Sequence, residues 1–183
     1  MINGSSGVAS PTMRHVSTLF ASVLLTTAVM SGCTTTSTTD SSTPVDMSRK
    51  AAAAVAAESA RRAAEAIRAA IPEITELVPL TEQNDTNNLL GRANGYSAAV
   101  VLVDSRTSAA CSTARPGVDC GATIEQWPDA AAAQKRAEHV EKMRGALPGL
   151  GPQYSTVKGG LLLQVAPTLE PSIADAYQAA FRG

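Results

Sequence analysis

Between Arg49 and Val78 small apolar residues recur every three or four positions, at Ala60, Ala63, Ile67, Ile71, Ile74 and Val78, the repeat of one helix face. Ala, Arg and Glu fill most of the remaining positions to Ile71 and favour the helix on their own account. Glu58 with Arg62, and Arg61 with Glu65, stand four apart and make the far side a solvated face. Pro72 restricts the residue before it and breaks or bends the helix at Ile71. The pattern predicts a long amphipathic helix docked on the rest of the chain; the competing reading is a helix that offers its Ala-rich face to a partner or a membrane.

The period then changes. Gln83 to Gly95 is rich in Asn, Asp and Gly, the residues of a structured loop. Ala98 to Val103 is an unbroken apolar run, consistent with a strand buried on both faces. Ala122 to Trp127 alternates, with Thr123, Glu125 and Trp127 on one side and Ile124 and Gln126 on the other. Pro128 ends that strand, and Asp129 is placed to cap a helix running to about Arg144, with Ala133, Ala137, Val140 and Leu147 on its apolar face and Gly145 as its stop. Tyr154 to Val157 and Leu161 to Val165 flank Lys158-Gly159-Gly160 as a hairpin. Pro171 opens a last helix with Ile173, Tyr177 and Phe181 inward. The expected class is α+β: a long N-terminal helix, then β-β-α-β-β-α, with a four-stranded, mainly antiparallel sheet covered by helices on one face.

Upstream of this domain the pattern is of another kind. Arg14 is followed by Val16 to Met30 without a charge, the order of a secretory signal. Fifteen residues fall short of the roughly 20 a membrane-spanning helix needs. The run ends Val29-Met30-Ser31-Gly32-Cys33, which resembles the lipobox of bacterial lipoproteins, with Met30 in place of the commoner Leu. The resemblance implies cleavage before Cys33, diacylglycerol on its thiol, and a chain held at the extracytoplasmic face of the cell membrane. Residues 1–32 are then the signal, with Met13 a candidate true start. Residues 33–47 form the lipidated cysteine and a Ser/Thr-rich tether with nothing apolar to pack over Thr34 to Pro44, and 48–183 are one exported domain.

Composition narrows the function. The chain holds 15 Lys and Arg against 16 Asp and Glu, and Arg14 is the one charged residue up to Cys33, so the exported part is slightly acidic. It carries no basic patch of the kind that displaces counterions from nucleic acid and no polybasic run for anionic lipid. One Trp, three Tyr and two Phe are few for stacking on bases or sugars. Of three cysteines, Cys33 is accounted for by the lipobox, leaving Cys111 and Cys120 nine apart around Arg115-Pro116-Gly117, a disulfide in an oxidising exterior. No metal set and no cofactor are expected, because Cys and His are too few. His139 is read as a surface imidazole, and no catalytic residues are assigned. The chain has neither a Gly-x-Ser-x-Gly elbow nor a dinucleotide glycine motif. Paired carboxylates remain as an enzyme option, Asp85 and Asp104 approaching each other across the loop and the strand end.

The stretch Asn84-Asp85-Thr86-Asn87-Asn88-Leu89-Leu90-Gly91-Arg92, followed by Tyr96, a strand and Asp104, resembles a segment of actinobacterial cell-surface lipoproteins that reads Asn-Asp-Pro-Asn-x-Leu-Leu-Gly-Arg. Thr86 stands at its Pro, and Ala93 where Pro or Gln is frequent. The similarity runs from about Leu80 to Phe181 through Trp127-Pro128-Asp129 and the Gly159 hairpin. It implies origin and compartment and brings no reaction or ligand. It makes Asn84, Asp85, Asn88, Gly91, Arg92 and Tyr96 the candidate binding residues, against the alternative that Asn and Asp satisfy turn amides while Arg92 pairs with Asp85 or Asp104. Three functions follow: a non-catalytic module binding an unknown envelope protein or ligand, a carboxylate-dependent hydrolase or transferase acting on wall or lipid, and an accessory subunit of a transport or signalling system.

Overall fold

Pro44 occupies the first turn of α1 (Pro44–Ala70), where a missing amide hydrogen costs nothing. The computed structural model describes residues 43–107, 111–112, 114–152 and 154–183, all within one compact unit spanning 41–183; the expected signal, Cys33 and most of the expected tether lie outside them. α1 starts five residues before Arg49, since Thr43 caps it through its carbonyl, which accepts from the amides of Asp46 and Met47. Its second half packs, with Ala60, Ala64 and Ile67 fully buried, while Val45, Met47 and Val55 stand exposed. Among the described residues no helix is long and apolar enough to cross a membrane.

After α1 come β1 (Ile74–Pro79), β2 (Ala98–Asp104), β3 (Gly121–Gln126), α2 (Ala130–Ala146), β4 (Tyr154–Lys158), β5 (Leu161–Val165) and α3 (Pro171–Arg182). The strands form one antiparallel sheet in the order β1-β2-β3-β5-β4. The class is α+β, with five strands where the sequence pattern gave four. The extra strand is β1. Ile74 pairs with Asp104 and Glu76 with Val103, so Thr75 is an inserted residue, a bulge that lets Ile74 and Leu77, three apart, both reach the same core. In the sequence, Ile74 and Val78 continue the three-and-four spacing of α1 and so mimic a longer helix.

The expectation that helices cover one face is also corrected. α1 and α3 pack on one side, where Ile67, Val100, Leu102, Ile124, Leu163, Tyr177 and Phe181 form the larger core. α2 covers the other, where Ala133 and Ala137 meet Ala99, Leu162, Trp127 and Tyr96. β2 is buried on both faces, as its unbroken apolar run requires. Leu147, expected inward, is half exposed just past the end of α2. Asp129 caps α2, its carboxylate accepting from the Ala132 amide at 2.8 Å, and Gly159, with φ 58°, turns the β4–β5 hairpin. Cys111 and Cys120 are bonded, with Cα atoms 4.3 Å apart, tying the loop after β2 to the start of β3.

Candidate functional site

The loop singled out in the sequence folds around Asp85, whose side chain is buried. Its carboxylate accepts from the amides of Asn87, Leu89 and Leu90 at 2.7 to 2.9 Å and from the Tyr96 hydroxyl. Burial alone would raise the Asp85 pKa; these four donors outweigh it and hold the group below the ordinary carboxyl range. Burial and the adjacent carboxylate push Tyr96 far up. Asn84 Oδ1 accepts from the Thr81 amide at 2.7 Å. Asn88 and Gly91 adopt positive φ of 53° and 68°, and the Gly91 amide donates to the Tyr96 carbonyl.

Arg92 donates to Asn88 Oδ1 at 2.8 Å and pairs with neither Asp85 nor Asp104. Asp104 is fully buried at the far end of β2. There it accepts from Arg106 at 2.8 and 2.5 Å and from the Tyr177 hydroxyl at 2.7 Å. Burial opposes ionisation of Asp104, and the Arg106 and Tyr177 bonds prevail, lowering its pKa. Asp85 sits with Tyr96 in the core under α2, and Asp104 with Tyr177 in the core under α3. The two acids therefore lie on opposite faces of the sheet, which corrects the expected approach between them. Asp85, Asn84 and Asn88 spend their acceptors on the loop itself.

The outer side of this loop forms one wall of a cleft of about 350 Å³. Thr86 and Asn87 belong to that wall, and the disulfide loop with Arg115 and Cys120 makes a second. α2 supplies the third through Arg136, Val140 and Arg144, four residues apart and thus on one stripe. The floor is polar: Thr123 of β3 lies directly across from Gln164 of β5.

Beside that floor Glu125 is 2% exposed. It accepts from Trp127 Nε1 at 2.8 Å and from Gln164 Nε2 at 3.0 Å, and the Trp127 ring meets Tyr96 edge-on at 5.8 Å. Arg136 Nε forms an ion pair with Glu125 Oε2 at 3.7 Å, too long for a hydrogen bond, and this buried atom has no hydrogen-bond partner. Burial pushes the Glu125 pKa up against the pull of Arg136. The chain matches no family model, no curated protein and no solved structure. The reading of this cleft therefore stands on its geometry.

None of the residues that build the cleft on β3, β5 and α2 was a candidate in the sequence. The available signal was Thr123 and Glu125 sharing one side of β3, together with Arg136 and Arg144 eight apart on α2. His139 is exposed on α2. Among the described residues no three His, Cys, Asp or Glu side chains are placed to hold a metal ion.

Glu125 sets one pH dependence. A carboxyl whose folded pKa is raised binds its proton more tightly in the native state, so folding stability falls as pH rises from the unfolded to the folded value. Glu125→Gln keeps the acceptor for Trp127 and removes the ionisation. Urea unfolding of the variant should show a stability that no longer declines over that interval; an unchanged decline would mean the slope has another source.

Proposed function

We propose that this chain is a membrane-anchored envelope lipoprotein of the actinobacterial type, whose folded domain is a non-catalytic module binding an envelope protein or ligand in the cleft between α2 and the sheet. The observation that carries the anchor is Val29-Met30-Ser31-Gly32-Cys33 after a charge-free run. The first helix begins at Pro44, eleven residues on from Cys33, which leaves a short tether between lipid and domain. Each buried methylene contributes about 0.8 kcal/mol, and two acyl chains make attachment stable where one does not. Binding is supported by a concave cleft with three walls from separate segments and a polar floor from β3 and β5. Asp85 and Asp104 are each buried in hydrogen bonds of their own, and neither is among the residues that line it.

Cys33→Ala should move the chain from the membrane fraction to soluble or unprocessed material and abolish labelling by radioactive palmitate. Labelling that survives the substitution would defeat the anchor reading. Crosslinking of cells followed by recovery of the tagged chain tests the binding reading, which fails if no partner or ligand is specific to the native cleft over an Arg144→Gln control.

A further inference from the structure

The cleft holds more positive charge than its surroundings compensate. Arg115, Arg136 and Arg144 line it, against the carboxylate of Asp119 in the lining and that of Glu125 beside Arg136. Among the described residues Arg115 and Arg144 have no carboxylate within ion-pair distance; Arg144 donates only to the Leu150 carbonyl. Arg136 is the most costly of the three. Its side chain is 16% exposed, its Nε is buried and unbonded, and the one acid beside it, Glu125, already accepts from Trp127 and Gln164. A guanidinium taken out of water with an N–H that makes no hydrogen bond loses solvation that one ion pair at 3.7 Å replaces only in part.

We propose that this cleft is an oxyanion site that takes a phosphate group, carried either by a small free molecule or by a lipid headgroup. The proposal rests on the binding-module reading above and names its ligand class. A single planar fork satisfies a carboxylate. Three guanidiniums arriving from two segments, α2 and the disulfide loop, instead suit a tetrahedral anion with oxygens on several sides. The volume is in the range of small-ligand sites. The disulfide at Cys120 ties down the backbone of the wall that carries Arg115, so less ordering of that loop is needed on binding.

The test uses the full chain carrying Cys33→Ala, so that acylation plays no part. Calorimetric titration with inorganic phosphate at constant ionic strength should show saturable one-to-one binding that exceeds binding of acetate. Arg144→Gln should weaken it about tenfold, the worth of one charge-assisted hydrogen bond. Arg144→Lys, which keeps the charge and loses the fork, should fall between the two, an ordering that a merely structural role would not produce. Arg115→Gln, at an exposed rim position, gives a second variant that leaves the core untouched. Sedimentation with phosphatidylcholine vesicles, with and without phosphatidic acid, separates the sources: phosphatidic-acid-dependent pelleting lost in Arg144→Gln assigns a headgroup, and phosphate binding without pelleting assigns a free ligand.

Absence of both responses overturns the proposal, as does phosphate binding equal in the native chain and Arg144→Gln, or acetate bound as tightly as phosphate. Such a failure leaves the palmitate result and the crosslinking result where they stand. A failed palmitate experiment, conversely, leaves the phosphate titration intact.

Discussion

Asp85→Ala is expected to lower folding stability by about 3 to 4 kcal/mol, because it strands several donors at once and each buried donor left unpaired costs roughly 1 to 3 kcal/mol. Three backbone amides and the Tyr96 hydroxyl lose their common acceptor. Tyr96 is fully buried against Trp127, so its hydroxyl has no route to water without disturbing the core under α2. Asp85→Asn retains one carbonyl oxygen and offers an N–H where an acceptor is needed, and it should cost less. Urea denaturation of both variants gives the comparison; an alanine variant within about 1 kcal/mol of the native chain would show that the loop does not depend on this carboxylate. The same bonds give acid sensitivity. Asp85 and Asp104 have folded pKa values below the ordinary range, so the stability they contribute is present above the unfolded carboxyl pKa and is lost as pH falls through the folded values.

Gly95→Ala is expected to be nearly as damaging, at about 3 kcal/mol. A Cβ there would lie 1.9 Å from the Leu89 carbonyl oxygen and 3.2 Å from that of Arg92. Neither backbone segment is free to withdraw, since the Leu89 amide is bound to Asp85 and the Gly95 amide donates to the Arg92 carbonyl. Gly145→Ala is the control. It lies within α2 with nothing near its added methyl, and alanine there should stabilise by about 0.5 to 1 kcal/mol. Thermal unfolding of the pair should move in opposite directions, and a Gly95→Ala protein that melts with the native one would show that the loop relaxes freely.

Elements announced by local chemistry were legible in the sequence. Asp129 before an apolar-periodic run, two glycines between short apolar strands, Pro171 ahead of Ile173 and a lone pair of cysteines each specify their structure within a few residues. β1 was not legible, because Ile74 and Val78 continue the three-and-four spacing of the helix before them. The placement of α2 on the second face was implied by the all-apolar β2 and hidden by the hairpin-like connections, which fix pairing and say nothing of which side a helix takes. The Asn84 to Tyr96 loop was visible as a unit since its residues bond one another. The cleft it borders was not, because Arg115, Arg136, Thr123 and Gln164 come from four segments and meet only after the sheet has formed.

The strand order carries one further consequence. β3 gains its second neighbour only from β5, whose residues begin thirty-five positions later, at Leu161. A polypeptide synthesised amino end first would thus expose an incomplete three-stranded ribbon with an open rim until that late hairpin emerged. Closure of the larger core awaits α3, which delivers Tyr177 and Phe181 to the interior, so the domain stays open on both counts until β5 and α3 are available.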